Sequence, residues 1–167
     1  MAKVEFHDFS VKVADAMEEA LIAGLYEAGG EVQARAKRNS RPGHKYGNKE
    51  ASELWDYKVD EGEKKAYVGS PFEAGFWEEF GTGEHALNKD GRKGWWVYVE
   101  GQDSGDGGKS YSTKEEAEEA AEFLRRVAKL NAYATNGIDP NRPLYRAFKS
   151  AKPVIQAIFE DKLKGMD

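Results

Sequence analysis

Apolar residues recur at intervals of three or four along Met17, Leu21, Leu25, Ala28, Val32 and Ala36. That spacing predicts a helix opening near Ser10, with one apolar stripe over about five turns. Gly24, Gly29 and Gly30 fall inside it. Each weakens a helix by up to ~1 kcal/mol relative to Ala, and each lets another backbone come close. Packing against a partner element is therefore expected to hold this helix together. Before it, Lys3 to His7 alternate and read as a short edge strand. After it, residues 39–50 carry the breakers Pro42, Gly43, Gly47 and Asn48 and read as a polar, basic loop.

The pattern then changes to strands. Trp55, Tyr57 and Val59 share one face of a first strand, and Lys65 to Gly69 form a second across the turn Asp60 to Glu63. Phe72, Phe76 and Phe80 are spaced i, i+4, i+8, close to one face of a short helix, which Gly81 or Gly83 stops. Trp95 to Val99 is the strongest strand pattern in the chain. Residues 101–110 form a Gly/Asp/Ser turn, and Ser112 and Thr113 precede Glu115 and Glu116 at capping-box spacing. The helix that follows runs to about Leu130 with Ala117, Ala120, Ala121, Leu124 and Val127 inward, and Asn131 to Thr135 return as a strand. Residues 136–143 make a turn, and Pro143 suits the first turn of a last helix. Its broad apolar face runs from Leu144 through Ala147, Phe148, Ala151, Ile155 and Ile158 to Leu163. Pro153 is expected to bend or interrupt it. The class expected is α+β in a single domain over 1–167. An antiparallel sheet is packed by the long N-terminal helix and the C-terminal helix, and residues 95–135 are a strand–helix–strand insertion.

At 167 residues and a mean hydropathy of −0.78, the chain has one domain's length and no apolar run suited to a membrane span. Neither a membrane protein nor a secreted one is expected. The absence of cysteine excludes disulfides, thiolate metal sites and cysteine nucleophiles. The net charge of −5 is unevenly spread. Residues 31–49 hold Arg35, Lys37, Arg38, Arg41, Lys45 and Lys49 against Glu31 alone, whereas residues 50–139 hold 11 basic and 20 acidic residues. A protein that coats nucleic acid over its whole surface would not have this balance. A local DNA-facing patch at those six cations remains open, beside the plainer reading of a helix end and a solvated loop.

Candidate chemistry is thin. His7, His44 and His85 stand in three separate segments, and none has a partner at the spacing of a helical zinc site. Glu84 and His85 are adjacent, so their side chains point apart on most backbones. Gly81-Thr82-Gly83 lacks the Gly-Lys-Ser/Thr ending of a phosphate loop and follows a helix where a dinucleotide fingerprint follows a strand. The carboxylates of Glu115–Glu122 read as a solvated face. No enzyme, cofactor or metal is expected. The unusual feature is aromatic: Trp55, Tyr57, Tyr67, Phe76, Trp77, Phe80, Trp95, Trp96 and Tyr98 crowd the middle of the chain. Such residues fill cores, and they are also enriched at the centres of interfaces.

Tyr67-Val68-Gly69-Ser70-Pro71, leading through Phe76-Trp77-Glu78-Glu79-Phe80-Gly81-Thr82-Gly83, resembles a motif of the tail-completion, or head-to-tail joining, proteins of long-tailed phages, the minor tail proteins of lambdoid type. Pro140-Asn141-Arg142-Pro143-Leu144-Tyr145-Arg146-Ala147-Phe148 resembles that family's proline-rich turn into its C-terminal helix. The resemblance covers most of residues 10–94 and 137–164. It departs after the first helix, where many members carry Thr-Gly-x-Leu-x-x-Ser and this chain has the basic loop 41–50 and Glu53-Leu54-Trp55.

The resemblance implies a non-catalytic structural subunit of the virion neck, assembled in the host cytoplasm. It implies a six-fold ring of copies between the head connector and the tail-terminator or tail-tube proteins, with packaged DNA passing non-specifically. Closed rings need heterologous contacts. Phe76, Trp77, Phe80, Gly81, Thr82, Gly83 and Arg142 are the interface candidates. The alternative expectation is a nucleic-acid-binding accessory protein that uses the basic 31–49 segment and stacking aromatics.

Overall fold

The protein is described here by a computed structural model covering residues 10–100 and 108–164. The strand expected at residues 3–7 lies outside the described residues, as does most of the turn at 101–110. Helix α1 spans Ser10–Asn39, and helix α4 spans Pro143–Lys164. They lie antiparallel: the Asn39 side-chain amide donates to the Pro143 carbonyl (3.2 Å), and Lys162 pairs with Glu27 (2.9 Å). Between them come four short strands, β1 (Lys45–Tyr46), β2 (Lys49–Glu50), β3 (Asp56–Asp60) and β4 (Lys65–Gly69). Helix α2 (Glu73–Phe80), strand β5 (Trp96–Val99), helix α3 (Lys114–Phe123) and strand β6 (Ala132–Thr135) follow. The class is α+β, with the long first helix and the C-terminal helix both present. The antiparallel pairing is divided among three two-stranded sheets, β1–β2, β3–β4 and β5–β6.

The α1 stripe buries Val32 and Ala36 against Ala147 and Ala151 of α4, with Leu54 and Trp55 closing the cluster. Small residues on both helices bring their axes close. The helical glycines admit aromatic rings rather than a backbone. A β-carbon on Gly24 would lie 2.5 Å from the Phe159 ring, and one on Gly29 would lie 2.6 Å from the Tyr57 ring of β3. Trp55 donates its indole N–H to Ser40 Oγ (2.7 Å), so the one polar atom of this buried side chain is satisfied.

The 95–135 segment forms the expected strand–helix–strand unit around a second cluster, Val97, Val99, Ala121 and Ala132. Tyr98 and Tyr133 pair across β5–β6 on the exposed face. Thr113 Oγ1 accepts from the Glu116 N–H, the N-cap half of the box that the spacing predicts; the Glu116 carboxylate reaches one residue further back, to the Ser112 N–H.

Three expectations are corrected. Val127 is exposed, because the helix widens to a π-turn over Leu124–Ala128 and turns its face outward. Left-handed Lys129 then stops it one residue short of Leu130. Of the bend or interruption expected at Pro153, the interruption does not occur: helix α4 continues through it, and its exposed ring forfeits one backbone N–H bond. The loop at 39–50 contains the β1–β2 hairpin, registered Lys45 to Glu50 and Tyr46 to Lys49.

Candidate docking groove

Helix α2 is eight residues long, too short to persist alone. Two adjacent carboxylates fix it. Glu78 has no solvent exposure. Its Oε1 accepts from the Arg41 backbone N–H (3.2 Å) and the Asn141 side-chain amide (2.6 Å), and its Oε2 accepts from the Tyr46 hydroxyl (2.7 Å). Arg41 Nη1 lies 3.7 Å from Oε2 and supplies the countercharge. Burial and the hydrogen bond to Glu78 push the Tyr46 hydroxyl pKa well above 10. Glu79 accepts from the backbone N–H groups of Leu144 (2.8 Å) and Tyr145 (3.0 Å). These are orphan donors in the first turn of α4, so a carboxylate from α2 caps α4, where the helix dipole favours negative charge.

The Gly-Thr-Gly segment completes the joint. The Thr82 N–H donates to the Ile138 carbonyl (2.9 Å), and Thr82 Oγ1 accepts from the Ile138 N–H (3.1 Å). Gly81 takes φ +74°, and a β-carbon there would stand 2.7 Å from the Ile138 oxygen. Gly83, at φ +60°, is buried against Asn136 and Trp96. His85 contacts Asp139 through Nδ1 (2.8 Å) and Asn136 through Nε2 (3.2 Å). Gly81, Thr82 and Gly83 are thus internal fasteners between α2 and the turn into α4.

What this joint presents outward is an open groove of about 710 Å³ between α1, β4, α2 and α4. Its floor is Ala28, Val32 and Trp55, and its walls include Tyr67, Phe72, Phe76, Phe80, Tyr145 and Phe148. Phe76 is 56% exposed and Phe148 is 55% exposed, and the Phe76 and Phe80 rings meet at a tilt with centroids 4.6 Å apart. Cations rim the aromatic walls. Lys49 lies over Phe72 (4.5 Å), Arg142 over Tyr145 (3.9 Å) and Lys152 over Phe148 (5.9 Å).

Of the interface candidates, Phe76 and Phe80 line this groove, and Arg142 stands at its rim. Trp77 does not line it; its ring sits 6.3 Å from Tyr46, on the hairpin side of α2. The reading of the sequence left out Tyr67, Phe72, Tyr145 and Phe148 as groove residues and the two glutamates as its fasteners. The i, i+4, i+8 phenylalanines were the available signal.

The six candidate DNA-facing cations do not act as one patch. Arg35 pairs with Glu31 (2.6 Å) and donates to the Ser150 carbonyl (3.0 Å). Arg41 is taken up by Glu78 and the Asp139 carbonyl. Lys49 lies over Phe72. Lys37, Arg38 and Lys45 remain at the surface, with Arg38 4.0 Å from Glu31.

Among the described residues, no group of three or more His, Asp or Glu is placed to hold a metal ion, and no helix is long and apolar enough to cross a membrane. Comparison with protein-family models, with curated proteins and with solved structures returned no match.

Proposed function

We propose that this chain is a non-catalytic assembly subunit of a long-tailed phage neck, joining the head connector to the tail as part of a ring. The observation that carries the docking role is the groove, where Phe76 and Phe148 stand more than half exposed over a fixed apolar floor. Contiguous exposed apolar surface of this kind marks contact sites. The motif's polar groups support the same reading, because Glu78 and Glu79 spend their oxygens on fastening the groove's walls. The neck itself comes from the sequence resemblance at Tyr67–Gly83 and Pro140–Phe148.

The test is made in the phage or prophage that encodes the chain. Disrupting its gene is expected to leave filled heads and finished tails that do not join. Antibody against the chain is expected to label the head–tail junction of intact particles. Normal joined particles without the chain, or label elsewhere, would overturn the reading.

A second reading, an accessory protein that binds nucleic acid, has one observation in its favour. Lys37, Arg38 and Lys45 are exposed near the end of α1. The docking reading is preferred because Arg35 and Arg41, the centre of the basic segment, are held by Glu31 and Glu78.

A further inference from the structure

Among the described residues a second apolar surface stands uncovered, on α1 beyond the Leu25 and Phe159 end of the groove. Helices α1 and α4 run antiparallel, and Phe159 packs at Gly24, five residues before Lys164 ends the described part of α4. At 1.5 Å per residue, the first ten residues of α1 project about 15 Å past that point. The apolar stripe does not stop there. From half-buried Leu21 it runs on through Met17 and Val13, 50% and 52% exposed, with Val11 on the neighbouring face 70% exposed.

We propose that the occupant of the groove is the projecting N-terminal end of α1 from a second copy of this chain. The contact rests on the docking reading of the groove and names its partner. A helix end with exposed apolar anchors at i and i+4 suits an aromatic trench. Methionine at its centre adapts to irregular aromatic walls through favourable sulfur–ring contacts.

Charge complementarity favours a copy of this chain as the occupant. The projecting segment bears Asp15, Glu18 and Glu19 against Lys12, with Glu18 already 3.4 Å from Lys64. The groove rim bears Lys49, Arg142 and Lys152, with Lys149 beside them in sequence. Glu79 is the acidic α2 residue that lines the groove, and its carboxylate is already engaged by the Leu144 and Tyr145 N–H groups. Opposite charges on the two surfaces align the partners and speed their encounter. Donor and acceptor are different patches on one chain, so the contact either closes at two copies by reciprocal exchange or repeats from copy to copy into a ring.

The experiment uses the full chain. Wild type is expected to form assemblies larger than a monomer at high micromolar concentration, with weaker association as salt rises. Met17→Glu on the donor and Phe148→Glu on the acceptor should each weaken association about 30-fold, the scale of a lost hot spot. Circular dichroism checks that each variant stays folded, and Phe76→Glu serves as a second acceptor variant. Mixing Met17→Glu with Phe148→Glu chains restores one intact contact and should yield a one-to-one heterodimer and nothing larger. The chain has no cysteine, so Met17→Cys mixed with Phe148→Cys should cross-link on oxidation, while neither variant cross-links to itself. A wild type that stays monomeric, variants that keep the wild-type mass, or a Met17→Cys chain that preferentially links to itself would overturn the proposal. Those outcomes together with junction labelling in the virion would assign the groove to another neck protein. Self-association without junction labelling would leave the contact standing and remove the neck.

Discussion

Glu78 and Glu79 are neighbours in sequence and differ in what they hold. Glu78 is a buried charge with three hydrogen-bond donors and a guanidinium around it. Glu78→Gln keeps the shape, removes the charge that faces Arg41, and aims an N–H₂ group at donors. Breaking such a buried arrangement costs about 3 kcal/mol or more. Glu79→Ala removes a helix cap and should cost about 1 kcal/mol. Urea midpoints for the two variants would check the ordering, with unchanged slopes showing that stability alone moved. Equal losses would mean that the two carboxylates form one unit. The Tyr46 hydroxyl adds a pH dependence. Its pKa is raised in the folded chain above the ordinary value of 10, so the unfolded chain releases this proton first as pH rises. Stability is fully present below pH ~10 and falls above it. Tyr46→Phe should flatten that alkaline limb in a series of melts across pH 9 to 12.

At the scale of elements, α4 shows what periodicity conveys and what it omits. Its three-four spacing predicts the helix and the burial of Ala147, Ala151 and Ile158. The same stripe includes Phe148, which stands open because the face is wider than α1 can cover. Spacing reports which residues share a face, and it is silent on how wide the covering element is. Glu78 and Glu79 were illegible for a related reason: a carboxylate pair on a short helix looks like a solvated face until its donors arrive from Arg41, Tyr46, Asn141, Leu144 and Tyr145. Tyr46 lay hidden in a segment whose breakers spelled loop, although Gly47 and Asn48 between two strand residues also suit a hairpin turn. The N-cap at Thr113 and the β3–β4 pair were legible because both are local. Pro153 is the element-scale test. It interrupts the hydrogen bonding of an otherwise regular helix on an exposed face. Pro153→Ala is expected to stabilise the chain, by up to about 3 kcal/mol if the proline is fully strained there. A rise in melting temperature would show it, and a fall would mean that the proline shapes a contact of α4.

For the whole molecule, the spread of charge decides how it meets a polyanion. Six cations in residues 31–49 suggested several phosphate contacts at once, and internal partners hold Arg35 and Arg41. With Lys37, Arg38 and Lys45 left at the surface, three phosphates would give a log–log salt slope of about −2.7 on duplex DNA. The net charge of −5 opposes even that at long range. Titration of labelled duplex at two salt concentrations is expected to show weak binding without sequence preference. Tight binding that survives physiological salt, or a slope twice as steep, would move the nucleic-acid reading to the front.

The antiparallel pairing of α1 with α4 also bears on how the chain comes off the ribosome. Val32 and Ala36 pack against Ala147 and Ala151, which are made more than a hundred residues later. Meanwhile the 95–135 unit can close on its own cluster from local contacts. During synthesis α1 therefore waits with an apolar face uncovered while a later segment folds first. Its last-made partner completes the core only after the longest loop closure in the molecule, the slow kind of step that exposes a nascent chain to aggregation.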